Sequence, residues 1–243
     1  NLSRLVSGGS KTQEEKEELS GSIRLLKMIF ETALSSISHS PLKRHSAPWF
    51  VVVGEPLSGK STLLKTQSLN LTRYREEIDT SDEEFLHFNV NSSTVFLDVK
   101  GKIFFDNWLG GSSAQWQSIC TLIGKYHRKK PLSGIVLTIP ADALIADDRS
   151  LCLKKAGLIA SELQTLTSSL NMKLPCRIVI TKSDCIVGFR EYFSGLSEKL
   201  TDQVIGFSLD DSDGVYIKND FRNAFDNFLV RIRNGVAGLM LSK

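Results

Sequence analysis

Charge imbalance, long apolar runs and paired cysteines are all scarce in this chain. Thirty lysines and arginines face 27 acids, a net charge of +3 that is too small to point to a nucleic-acid partner. No apolar stretch approaches the roughly 20 residues that a membrane span needs. No signal-peptide pattern opens the chain, which begins with Asn1 rather than Met, so the expectation is a soluble piece excised from something larger. Cys120, Cys152, Cys176 and Cys185 show no C-x-x-C spacing and no paired histidine, which argues against a zinc site and for a reducing compartment. The 4 histidines are scattered and offer no metal triad. What remains is ordinary globular composition, 41% hydrophobic and 23% charged. The 243 residues suit one large α/β domain with an appendage, or two small domains, and can bury a core without disulfides.

The most informative stretch is Val51-Val52-Val53-Gly54-Glu55-Pro56-Leu57-Ser58-Gly59-Lys60-Ser61-Thr62. An apolar run breaks into a glycine-bounded loop that leads into a helix-compatible segment, the context required for the phosphate-binding pattern G-x-x-x-x-G-K-[ST]. Gly54 and Gly59 allow backbone angles that turn successive N–H groups toward a phosphate. Lys60 reaches the β- and γ-phosphates as a point charge, and the Ser61 hydroxyl suits Mg²⁺. The following helix adds a favourable dipole. Residues 54–62 are therefore read as nucleotide-binding.

Elsewhere the pattern alternates strands and helices. Leu19, Ile23, Leu26, Phe30, Ala33 and Ile37 form one helical face between Gln13 and Ile37. A helix is expected from Lys60 to near Leu69, a loop over 72–84, and strands at 84–90, 93–98, 134–139 and 176–180. Helices are expected over 113–126, from an Asp147-Asp148 cap onward with Ala156, Ile159, Leu163, Leu166 and Leu170 on one face, and over 190–200 and 219–239. The last carries Phe221, Phe225, Phe228 and Ile232 together. The basic run Lys125 to Lys130 reads as a cationic helix end. Near-continuous apolar strands between amphipathic helices predict a mostly parallel sheet covered on both faces. Ligands of such sheets sit beyond the carboxyl ends of the strands, where Gly54, Asp98 and Thr181 fall.

Two further motifs follow in order. Asp98-Val99-Lys100-Gly101 is a D-x-x-G, in which Asp98 would hold Mg²⁺ and the Gly101 N–H would meet a γ-phosphate. Thr181-Lys182-Ser183-Asp184 resembles the [NT]-K-x-D element of GTPases, whose carboxylate accepts two hydrogen bonds from guanine. Asp184 thus favours guanine, with the Lys182 stem along the base. The water-positioning Gln that Ras-like enzymes carry after D-x-x-G is here Lys102. Thr80 is the switch threonine by position, and Lys60, Asp98 and Thr80 are the catalytic candidates. No arginine finger is identifiable, although Arg73, Arg75 and Arg128 are available. The expected chemistry is slow in-line hydrolysis by water, or binding alone, with Mg²⁺ and GTP or ATP.

From Pro48 onward the chain resembles the cytoplasmic NTPase domain of the IcmF/TssM family, inner-membrane components of bacterial type VI and Dot/Icm-type (type IVB) secretion systems. The likeness runs through Pro48-Trp49-Phe50, Trp116, the stretch Arg128 to Thr138, Leu174-Pro175, Thr181 to Asp184, Gly188-Phe189, Tyr192-Phe193 and Gln203 to Phe207. It departs where the family commonly reads D-T-A-G-R and this chain has Asp98-Val99-Lys100-Gly101-Lys102, and where paired tryptophans are replaced around Phe88-Asn89-Val90. The resemblance implies a three-layer, GTPase-like P-loop NTPase domain over 47–209, flanked by helical segments 1–46 and 210–243. It also implies membrane anchoring through segments outside this chain, a place at the cytoplasmic face of the inner membrane, and a DotU/TssL-type partner. The expected role is assistance to envelope-complex assembly. The alternatives are a catalytically inactive scaffold of the same fold and, less favoured by the long Asp98–Thr181 segment, a free-standing signalling GTPase.

Overall fold

The computed structural model describes residues 13–38, 47–66, 69–74, 85–105, 113–126, 132–194, 205–209 and 218–241. The chain divides into two compact units, Asn1–Ser183 and Asp184–Lys243.

In the first unit the elements run α1 (Gln13–Ser38), β1 (Trp49–Gly54), α2 (Lys60–Leu64), β2 (Thr72–Tyr74), β3 (Leu86–Val90), β4 (Val95–Val99), α3 (Gly101–Phe104), α4 (Ala114–Tyr126), β5 (Gly134–Pro140), α5 (Ala141–Ala146), α6 (Arg149–Leu170) and β6 (Cys176–Thr181). One six-stranded sheet takes the order β2-β3-β4-β1-β5-β6. β1 lies parallel to β4 and β5, and β5 parallel to β6, whereas β3 runs antiparallel to β2 and β4. The α/β, mostly parallel expectation therefore holds, with an antiparallel margin. That margin has a local cause. Only residues 91–94 join β3 to β4, and so short a link permits a hairpin but no crossover. Asn91 builds the turn, its Oδ1 accepting from the Ser93 and Thr94 N–H groups at 3.0 and 2.9 Å.

Strand alternation sorts the sheet into two faces. Trp49, Val51, Val53, Phe88, Leu97, Ile135 and Leu137 share one cluster with Leu26, Phe30 and Ile37 of α1, Trp116, Ile119 and Ile123 of α4, and Leu166 of α6. The Phe30 ring meets Phe88 edge-on at 5.2 Å, and Phe104 meets Trp116 likewise at 5.2 Å. The α1 stripe is thus part of the same core as the sheet, with Leu34 added to it. On the opposite face Val52 is buried, while Phe50 and Phe96 stack at 5.5 Å and stay half-buried.

Helix ends follow the cap residues. Ser113 accepts the Trp116 N–H at 3.1 Å ahead of α4, and Asp148 accepts the Leu151 N–H at 2.7 Å ahead of α6. Asn171, at φ 49, closes α6 in the left-handed region. Three expectations shift. α2 stops at Leu64 rather than near Leu69, Thr72–Tyr74 is a strand because β3 offers it a ladder edge, and Ala156 is exposed while Ile159, Leu163, Leu166 and Leu170 face the core.

In the second unit α7 (Phe189–Ser194) and α8 (Lys218–Leu241) flank residues 205–209. Phe207 gathers Phe221, Phe225 and Phe228 of α8 at 5.5 to 6.1 Å, which accounts for the aromatic stripe. The helix expected over 190–200 is described to Ser194, and residues 195–204 lie outside the described set. Among the described residues, no helix is long and apolar enough to cross a membrane.

Candidate functional site

The loop between β1 and α2 sits where the parallel strands β1, β4, β5 and β6 end. Gly54 is fixed there by a close approach. A Cβ on it would lie 2.2 Å from Thr138 Oγ1 and 2.5 Å from the Thr138 carbonyl, so no side chain fits. Gly59 takes φ 80, and Leu57 is also left-handed at φ 59, a conformation costing a leucine about 1–2 kcal/mol. The Leu57 side chain is 88% exposed, so packing does not explain the turn.

Lys60 folds back under this loop. Its Nζ donates to the carbonyls of Gly54 (3.0 Å) and Glu55 (2.9 Å) and to Ser58 Oγ (3.2 Å), which uses all three ammonium donors. The hydroxyl order continues inward. Thr138 Oγ1 donates to the Val53 carbonyl at 3.2 Å, so Ser58 Oγ, 2.8 Å away, donates to Thr138. Burial pushes the Lys60 pKa below its ordinary 10.5, opposed by the charges of Asp98 and Glu55.

Beside the lysine, Ser61 Oγ donates to Asp98 Oδ2 at 3.0 Å. A hydroxyl and a nearly buried carboxylate, one from the loop and one from the end of β4, form the hard oxygen pair that Mg²⁺ accepts. The D-x-x-G glycine closes on the same loop. A Cβ on Gly101 would stand 2.4 Å from the Pro56 nitrogen and 2.6 Å from the Glu55 carbonyl carbon. Lys102 after it is exposed on α3.

The third motif reaches the loop through Thr181, whose Oγ1 donates to the Ser58 carbonyl at 2.6 Å. Lys182, at φ 52, instead turns to Asp142, with Nζ 2.7 Å from Oδ2. That bond holds the Asp142 carboxyl below its ordinary 3.8. Asp184 begins the second unit, where it pairs with Arg190 at 3.0 Å. The structure therefore brings together Gly54, Glu55, Pro56, Ser58, Gly59, Lys60, Ser61, Asp98, Gly101 and Thr181. Thr80, Arg75 and Arg128 lie outside the described residues.

Three residues of this neighbourhood escaped sequence reasoning. Thr138 had a visible signal, a hydroxyl in the apolar run Gly134 to Ile139. Asp142 and Lys155 had none, because the residues that tie them to this site, Lys182 and Glu55, are 40 and 100 positions away.

An α/β protein with a mostly parallel mixed sheet, and with a buried lysine in a glycine-bounded loop at the end of its central strand, is the class so defined. The chain belongs to the IcmF-related N-terminal domain family, whose model matches residues 110–243, more than half of its length. The resemblance read from the sequence is borne out. The loop at 54–62 precedes the matched segment. The chain is also 25% identical over 175 residues to the type VI secretion system component TssM1 of Pseudomonas aeruginosa, an alignment that covers 69% of this chain and 16% of that protein. The chain thus spans a small fraction of that relative's length. Among solved structures it is similar to the small COPII coat GTPase SAR1 of Encephalitozoon cuniculi in complex with GDP, at 13% identity and a TM-score of 0.37 over 79% of this chain and 70% of that one. A likeness at that score is too low to support the fold.

Proposed function

We propose that this chain is the nucleotide-binding module, of GTPase-like P-loop NTPase type, of a bacterial secretion-system inner-membrane protein. It binds GTP or ATP with Mg²⁺ at the cytoplasmic face and assists assembly of the envelope complex. The observation that carries the reading is Lys60, gathered under the loop by three acceptors beside the Ser61–Asp98 pair. An ammonium concentrated at the end of parallel strands, inside a glycine-bounded loop, is a site for phosphate oxygens. Lys60 supplies the charge for the β- and γ-phosphates, and Ser61 and Asp98 would hold the metal. Bound there, Mg²⁺ would neutralise charge on the phosphate oxygens. Gly101 lies against the loop, and its N–H would meet the γ-phosphate. Turnover by an attacking water is slow, because Lys102 cannot orient water as a glutamine does.

Family membership and the name of the Pseudomonas relative support the secretion role, with a DotU/TssL-type inner-membrane protein as the expected partner. The exposed Lys102 also favours a second reading, an inactive scaffold of the same fold that docks secretion proteins. Titration of the 243-residue chain with fluorescent GTP and ATP analogues plus Mg²⁺, beside Lys60→Ala, separates the two. Saturable binding lost in the variant supports the module, and no binding at high micromolar nucleotide leaves the scaffold.

A further inference from the structure

Glu55 is the one acid among residues 54–62, in a loop read here as a seat for phosphates. A carboxylate so placed opposes the binding of an anion unless another charge answers it. One does. Lys155, on the second turn of α6, places its Nζ 2.7 Å from Glu55 Oε2 and 2.6 Å from Asp147 Oδ2. All three side chains are less than one-fifth exposed, so solvent screens the group only in part. Burial works against the Lys155 charge, but the bonds from Asp147 and Glu55 outweigh it and hold the pKa above 10.5. The ammonium is therefore present throughout the neutral range.

Glu55 is also a junction in the backbone. Its carbonyl accepts from Lys60 Nζ and from the Ser58 N–H, and its carbonyl carbon lies against Gly101. The side chain turns away from these contacts, to α6.

We propose that Lys155 is a positioning residue for the phosphate loop: it draws the Glu55 carboxylate to the start of α6 and offsets its charge there, so that the loop accepts a nucleoside triphosphate. The inference rests on the nucleotide reading above. Lys155 touches no phosphate itself; it acts through Glu55.

The test is affinity for fluorescent GTP and ATP analogues with Mg²⁺, measured on the whole chain at low and high salt. Lys155→Met is expected to weaken binding roughly tenfold at low salt, with a smaller deficit at high salt, because an uncompensated carboxylate repels the phosphates. Lys155→Arg keeps the charge and stays within about twofold of the unaltered chain. Lys155→Met with Glu55→Gln removes the ammonium and the loop's own carboxylate, leaves Asp147 outside the loop, and recovers most of the loss, an outcome that a purely structural tether would not give. Lys155→Met at unaltered affinity, or a double variant no better than the single one, overturns the proposal. Should Lys155→Met fail to fold, the comparison of Lys155→Arg with Glu55→Gln/Lys155→Met still decides, since tether loss penalises the double variant alone. Binding in the unaltered chain that Lys60→Ala abolishes, with Lys155→Met unaffected, sinks this inference and keeps the nucleotide reading. Absence of binding in the unaltered chain sinks both.

Discussion

The Thr181 hydroxyl donates a 2.6 Å hydrogen bond to the Ser58 carbonyl, joining the end of β6 to the middle of the glycine-bounded loop across 123 positions of sequence. Ser58 is itself fully buried between Lys60 and Thr138. Thr181 therefore fixes the loop from the end of β6. Thr181→Val keeps the shape and removes the donor, leaving the Ser58 carbonyl short of a partner. The expected cost is about 1–2 kcal/mol. Urea unfolding should show a lower midpoint with an unchanged slope.

The Asp142–Lys182 pair has a definite pH signature. Lys182 lowers the folded pKa of Asp142 below the ordinary 3.8, so the pair contributes stability above 3.8 that is lost as pH falls through the folded value. Both side chains are more than one-third exposed, so the contribution is small and screened by salt. The direct readout is the carboxyl carbon-13 shift of Asp142 against pH. Its midpoint should lie below 3.8 and rise toward it in Lys182→Ala. A midpoint that stays put in the variant would refute the assignment.

Phe30 lies fully buried on α1 and meets Phe88 of β3 and Tyr126 of α4 with its ring. Phe30→Ala leaves a cavity between helix and sheet, at a cost of about 3–5 kcal/mol. The unfolding transition of the first unit should move to lower temperature as a whole, because α1 shares the sheet's core. A first unit that splits into two steps, with only the earlier one shifted, would show that α1 melts by itself.

These residues also mark what the sequence could and could not disclose. The α1 stripe, the cap at Asp148 and the strands ending at Gly54, Asp98 and Thr181 were legible because each is a short-range pattern: a 3.6 period, an acid ahead of an apolar helix, an apolar run closed by a motif. The antiparallel direction of β3 was not read from the sequence, because the strand pattern alone gives no direction; its signal lay in the short link around Asn91. Thr72–Tyr74 was not legible, since three residues carry no period and acquire strand geometry from the β3 edge. Asp142 and Lys155 were illegible for a different reason. A charged residue on a helix start looks solvated until the fold brings its partner to it.

Gly101 supplies the last prediction, and it tests whether the D-x-x-G segment and the loop move as one. The backbone of Gly101 takes no left-handed torsion, so its need for glycine comes from proximity alone. An added Cβ would meet the Pro56 nitrogen at 2.4 Å and the Glu55 carbonyl carbon at 2.6 Å. Both are main-chain atoms that no rotamer change can clear, so either α3 or the loop must shift. Gly101→Ala should therefore cost about 1–3 kcal/mol. Lys102→Ala, one position on and exposed, should stay within about 0.5 kcal/mol. Parallel urea curves and titrations with fluorescent nucleotide separate the consequences. A stable Gly101→Ala protein with weakened binding places the shift in the loop. An unstable one that still binds once folded places it in α3. Stability and affinity both unchanged would mean that α3 stands off the loop in solution, and that the D-x-x-G glycine has no hold on the phosphate end.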